Sequence, residues 1–231
     1  MSPPRPESRH AAFTLVELLT VAALVALLAG IAVGALRGGK GRAAQARARS
    51  ELAALTNALE EFKRHYGDYP QLGDFASIGN LTPANTTGGP GTGTSQAKLF
   101  NCLTGVFGPR GFTAADRVNG PSLLDVGRFV VNPAQLAATF QVPVVPGAGQ
   151  APVKTEQNAG LLDPWGRYYV YYYKSARAPG NWQAPAYVLY SAGPPLPPPL
   201  ATTTPAPIAT NTGLPVAVSA NTAGYLFATP L

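Results

Sequence analysis

The chain has no cysteine pair, little histidine and little charge, and no acid after Asp163. Cys102 is its one cysteine, so an intramolecular disulfide is excluded and stability must come from packing or assembly. The two histidines, His10 and His65, leave little for a histidine-based metal site or a catalytic triad. Charged residues make up 12% of the 231 residues and hydrophobic ones 46%, which excludes a charge-rich disordered chain. No charge of either sign follows Arg177. What is present in quantity is punctuation, with 25 Gly and 24 Pro, and one long apolar run.

The net charge of +6 is not spread along the chain. Five bases and no acid fall between Arg37 and Arg49 (Arg37, Lys40, Arg42, Arg47 and Arg49). From Ser50 onward ten bases face nine acids. The basic character is therefore one short segment beside an apolar run. That pattern reads as a membrane-surface flank before it reads as a nucleic-acid face.

Residues 1–12 are short and polar, with Arg5, Arg9 and His10. Phe13 to Leu36 then holds a single charge, Glu17. As a helix this run spans about 36 Å, enough to cross a hydrocarbon core of about 30 Å. A secretory signal peptide, a plain signal anchor and a buried core helix compete for it. Its length exceeds the usual apolar core of a signal peptide, and the near absence of polar groups argues against a core helix. Glu17 discriminates further. A carboxylate at membrane depth costs roughly 2.5–3.5 kcal/mol on the lenient scale, so such a residue calls for a function and a cationic partner. An α-amino group made by cutting before Phe13 would be that partner, on a neighbouring copy.

The sequence AFTLVELL, followed by a long apolar helix, resembles the class III signal of type IV pilins and type II secretion pseudopilins. The resemblance implies cleavage between Ala12 and Phe13 by a prepilin peptidase, N-methylation of Phe13, and an assembly role for Glu17. The family usually has Gly before the cut where this chain has Ala12, which keeps a small residue there. The resemblance also implies a cytoplasmic leader and an outer domain. The flanking bases taken alone would place the C-terminal flank inside, so charge and resemblance disagree on topology.

Past the run, residues 43–66 are rich in good helix formers, and Leu52, Leu55, Leu59, Phe62 and Tyr66 make one apolar stripe for packing on the chain's own domain. Gly38, Gly39 and Gly41 point to a flexible joint ahead of it. The helix should stop near His65 to Pro70, where Gly67 and Pro70 stand. His65 reads as a polar residue at a helix C-terminus. Tyr66, Gly67, Tyr69 and Pro70 resemble the YGxYP stretch of the major pseudopilin of type II secretion.

Residues 73–160 read poorly. GGPGTGTS (88–95) is a loop without the Lys of a phosphate-binding motif. A short helix over 96–103 and a strand over 127–131 are expected. Asp116, Asp125 and Asp163 are too scattered for a metal cage and read as solvated loop carboxylates. Asp163, Pro164, Trp165 and Gly166 form a turn sequence, and the tyrosine-rich run behind it favours a strand. With a second strand over 186–191 this reads as an antiparallel hairpin packed on the long helix. The DPWG turn again resembles the major pseudopilin. That family's calcium loop would follow Ser191-Ala192-Gly193-Pro194, but here PLPPPL replaces its acids, so no calcium site is carried over. The tail is expected to be mobile or loosely docked, with short strands possible at PVAVSA (215–220) and GYLFAT (224–229).

The resulting expectation is an α+β fold, pilin-like, with a long N-terminal helix, membrane-spanning in its first half, packed on a small antiparallel sheet. Its divisions are a cleaved leader (1–12), a transmembrane helix (13–36), a basic joint and amphipathic helix (37–66), a loop-rich variable region (67–160), a hairpin region (161–193) and a Pro-rich tail (194–231). The resemblance implies a structural subunit, not an enzyme, with no catalytic residue, cofactor or metal. It would assemble into a periplasmic pseudopilus that drives type II secretion. Implied partners are the prepilin peptidase, identical and related pseudopilin subunits in a homopolymeric filament, and the inner-membrane secretion platform, with no nucleic acid. The implied location is the inner membrane, single-pass, with the C-terminal domain periplasmic. A type IV pilin, a minor pilin, or a membrane-tethered binding domain are the alternatives.

Overall fold

A computed structural model of the chain describes residues 15–72, 94–132, 154–175, 179–194, 209, 212–214 and 224–228, with backbone alone at 31–40. The first helix, α1 (Leu15–Tyr66), runs for 52 residues. It is helical through Gly38, Gly39 and Gly41, the segment expected to form a joint. Good helix formers on both sides outweigh the roughly 1 kcal/mol disadvantage of each glycine. The chain divides into two compact units, residues 1–43 and 44–231.

In the first unit, Leu15, Val16, Leu18, Leu19, Val21, Leu24, Val25, Leu27 and Leu28 are all more than half exposed. A helix that is apolar on every side and meets no protein there is built for an apolar surrounding or for other helices. Among the described residues, no helix is long and apolar enough to cross a membrane. Of the expected span over 13–36, residues 13 and 14 and the side chains of 31–36 lie outside the described set.

The second unit is α+β. The stripe on α1 behaves as its spacing predicts: Leu52, Leu55, Leu59 and Phe62 are buried, each worth about 1.5–3 kcal/mol as an upper estimate. Tyr66 is half-buried, and its ring sits 4.6 Å from that of Phe62. Helix α2 (Ser95–Leu103) starts on Thr94, whose hydroxyl accepts from the Ala97 amide. It buries Leu99, Phe100, Cys102 and Leu103 in the same core. Burial pushes the Cys102 thiol well above its ordinary range.

Among the described residues five short strands follow: β1 (Val130–Asn132), β2 (Gly160–Leu162), β3 (Val170–Tyr172), β4 (Val188–Ser191) and β5 (Leu226–Phe227). β1 pairs with β2, and β3, β4 and β5 form a second sheet in that order; every pairing is antiparallel. The hairpin read from the sequence is therefore β3–β4. The strand expected over 127–131 begins later, because Asp125 caps a short 3-10 turn at Val126–Arg128 by accepting from the Gly127 amide. Residues 179–181 make a further 3-10 turn between β3 and β4.

Residues 224–228 dock more firmly than expected for the tail. Tyr225 is buried and stacks on Tyr190 at 5.2 Å, while Phe227 lies 5.3 Å from the same ring. Gly193 has φ +69°, and a side chain there would collide with the Gly224 carbonyl, so only glycine lets the two segments approach. The possible strand at 215–220, PLPPPL and most of GGPGTGTS lie outside the described residues.

Candidate assembly site and the two motif turns

Glu17 lies in the first turn of α1, exposed, with the Thr20 hydroxyl donating to its carbonyl at 2.9 Å. Exposed Val16, Leu18, Leu19 and Val21 surround it in sequence. The carboxylate is thus carried on an apolar rod, where water is the one solvent that would favour its charge. Ala12 and Phe13, the expected processing residues, lie outside the described residues.

The two motif turns lie in the second unit, and the tyrosine-rich strand joins them. Helix α1 ends at Tyr66, and Gly67 takes φ +83° so that its amide can close on the Lys63 carbonyl at 2.7 Å. That left-handed step is the ordinary glycine ending of a helix. Asp68 then gathers four donors. Its Oδ1 accepts from the Tyr69 amide and the Tyr173 hydroxyl, both at 2.9 Å. Its Oδ2 accepts from Gln71 Nε2 and Lys174 Nζ, both at 2.7 Å. Tyr69 donates its hydroxyl to Glu60 Oε1 at 2.8 Å, and the Pro70 carbonyl accepts from the Tyr171 hydroxyl at 2.9 Å. The YGxYP stretch is therefore the latch between the end of α1 and β3. His65 is exposed beside it, edge-on to Tyr66.

Burial disfavours the charged form of Asp68, but the bonds from Lys174, Tyr173, the Tyr69 amide and Gln71 win and hold its carboxyl below the usual aspartate value. A depressed folded value means the contribution is present above the unfolded pKa and lost as pH falls through the folded one. Asp68→Asn should therefore destabilise at neutral pH, and the deficit should fade as pH falls through the carboxyl's depressed folded value. Thermal melts of the full chain and the variant across that range would check it. A deficit that stays constant with pH would contradict it.

Asp163 is buried, not solvated as the sequence reading held. The reason is local. Its Oδ1 accepts from the Trp165 amide at 3.0 Å and the Arg167 amide at 2.9 Å, and its Oδ2 accepts from the Ser191 hydroxyl at 2.6 Å. Gly166 takes φ +78°, and its amide donates to the Asp163 carbonyl. Ser191 in turn accepts from the Gly193 amide, and Arg167 donates to the carbonyls of Ala192 and Gly193. The DPWG turn and the SAGP loop thus form one buckle. Burial pushes the Asp163 carboxyl above its ordinary value, against the pull of Ser191 and the two amides. Asp116 and Asp125 are spent on local turns elsewhere, Asp116 accepting from Thr113. Among the described residues no cluster of His, Cys, Asp and Glu could hold a metal ion.

The sequence reading missed two contacts. Glu51 is buried within the helix–sheet interface, accepting from Arg47 Nε at 2.7 Å and from the Tyr169 hydroxyl at 2.6 Å. The Arg47–Glu51 spacing of four was a legible helix pair, but Tyr169 was not assignable to it. Lys154 is buried, its ammonium donating to the carbonyls of Thr104 and Gly120. Burial lowers its pKa, and nothing in the local sequence signals the role.

These features define a class: a pilin-like α+β protein, whose N-terminal helix ends in a latch to small antiparallel sheets. Over 62 residues the chain is 39% identical to type II secretion system core protein G of Aeromonas hydrophila. That match covers 27% of this chain, which spans 43% of the length of that relative. It supports a pseudopilin-like relationship over the matched stretch. No protein-family model matches the chain, and no solved structure matches it.

Proposed function

We propose that the chain is a structural subunit of the major-pseudopilin type. In this reading a prepilin peptidase cuts between Ala12 and Phe13 and the new amine of Phe13 is methylated. The apolar helix holds the subunit in the inner membrane, with the second unit periplasmic. Subunits then assemble with their own kind and with related pseudopilins, at a secretion platform, into a filament that drives type II secretion. The single observation that carries the reading is the likeness over 62 residues to the secretion-system core protein. The exposed apolar side chains on either side of Glu17 support it physically. In the proposed filament an amine at Phe13 of the adjacent subunit would face the Glu17 carboxylate without adding a polar residue to the helix.

The mature N-terminus tests this. Mass analysis of the purified protein should show a chain that begins at Phe13 and carries one methyl group on its amine. An intact Met1, or a cut near Ala35, would overturn the proposal and leave a tethered domain or an exported one.

A further inference from the structure

We propose that the hollow between the latch and α2 binds a short zwitterionic peptide by its two free ends. The site lies wholly within the second unit and does not depend on filament assembly.

The hollow measures about 510 Å³, within the size of small-molecule sites. Four segments meet around it. Gln71 and Leu72 follow the latch, Ser175 follows β3, Lys98 comes from α2, and Phe112 and Asp116 come from the loop behind α2. The backbones of Leu72 and Ser175 bridge antiparallel, which ties two of these walls together. Gln71 is buried, its Nε2 donating to Asp68 and its amide to the Pro109 carbonyl at 2.8 Å. One side of the hollow is therefore continuous with the packed end of α1.

Two opposite charges line it, Lys98 and Asp116, both half-buried. Among the described residues neither forms an ion pair, with the other or with a third group. Each is held by its own neighbours instead. Lys98 Nζ lies over the Phe112 ring, 5.5 Å from its centre, a contact that leaves its N–H donors available. Asp116 Oδ2 accepts from the Thr113 amide at 2.9 Å and from the Thr113 hydroxyl. Gly111 takes φ +81°, and a side chain there would collide with the Asp116 carboxylate. Asp116 Oδ1 accepts no bond among the described residues. A wall with one positive and one negative group suits a ligand that carries one of each. A ligand with net charge would leave one wall group unpaired, and a saccharide would bring a counter-charge to neither. A peptide places its carboxylate on Lys98 and its ammonium on Asp116 through charge-assisted hydrogen bonds. Phe112 and Leu72 supply apolar surface for a side chain between those ends. The volume is more than a single amino acid needs, which favours a short peptide.

The test titrates the dipeptide alanyl-leucine against the full chain in a non-ionic detergent, read by saturation-transfer NMR. Binding should saturate with a Kd on the order of 1 mM. The same dipeptide capped by acetyl and amide groups should bind about tenfold more weakly or not at all. Lys98→Gln and Asp116→Asn should each weaken binding by about tenfold while melting close to the wild type. Lys98→Arg keeps the charge and should retain binding. Capping alters only the ligand, so it decides the matter even where a substitution unfolds the chain. A capped dipeptide that binds as well as the free one, or a neutral variant that binds like the wild type, overturns the proposal. Saturation by maltose in place of the dipeptide does the same, in favour of a saccharide. So does the absence of saturation well above the expected Kd in a chain that melts cooperatively. Each of these failures leaves the assembly reading, which rests on the mature N-terminus, untouched.

Discussion

If the chain assembles as proposed, Glu17→Val should abolish filament formation while leaving the subunit abundant, cut and methylated. The direction follows from two opposed terms. Removing the carboxylate relieves a membrane cost of roughly 2.5–3.5 kcal/mol, so insertion and retention of the helix should if anything improve. The same change removes the one group in the described part of the apolar helix that can recognise a neighbour's amine. Filament yield should fall by ~10-fold or more, the factor that corresponds to 1.4 kcal/mol per subunit contact. Glu17→Gln keeps the shape without the charge and should fail equally. Shearing or cross-linking assays, with immunodetection of the membrane pool, separate assembly from stability. Normal filaments from the Val variant would mean that register is set elsewhere, and the charge-pairing mechanism would have to go.

Asp163→Ala should be the most damaging single polar substitution in the second unit. It leaves the amides of Trp165 and Arg167 and the hydroxyl of Ser191 without their acceptor in a buried turn. Unsatisfied buried donors cost about 1–3 kcal/mol each when water cannot reach them. With partial rescue by water, a net loss of about 3 kcal/mol is expected, or roughly 10 °C in melting temperature for a domain of this size. Asp163→Asn should recover much of this, since its oxygen can still accept from the two amides and its NH2 group can donate to Ser191. The pH dependence has a definite sign. The folded carboxyl sits above its ordinary value, so its contribution is largest at low pH and declines as pH rises through the folded value. The deficit of the Asn variant should therefore shrink from acidic to neutral pH. A deficit that grows instead would show that the ionised form is the one the buckle favours.

How much of this was readable depends on whether the signal is local. The packed face of α1 was, because Leu52, Leu55, Leu59 and Phe62 repeat at the helical period and bury as one stripe. So was the end of α1, because Gly67 and Pro70 act on their immediate neighbours. The β3–β4 hairpin was legible from its tyrosines, and those tyrosines are buried in packing, as the strand reading held. The three-glycine segment is helical in backbone, which propensity weighed residue by residue does not foresee because it leaves out the strong helix formers around it. Asp163 misled in burial but not in its turn chemistry: bonding back to Trp165 and Arg167 is local, whereas the Ser191 hydroxyl arrives from 28 residues away. The Glu51–Tyr169 contact spans 118 residues and that of Asp68 with Tyr173 spans 105. No window of sequence reports such a pair. For the candidate site, the type of residue at Ala12, Phe13 and Glu17 carried the whole reading.

The last strand has a consequence for the order in which the sheet is finished. Ser191 pairs with Leu226 across more than thirty intervening residues, and β5 supplies only two residues to the ladder. A ribosome delivers those two residues well after β4. Until they arrive, β4 presents an unpaired edge and the flat face of Tyr190 to whatever is nearby. A polypeptide clipped anywhere before Gly224 would stay in that state permanently. Proteolysis between β4 and β5 is thus the lesion that would turn a well-behaved protein into a sticky one, with the helix and its latch untouched.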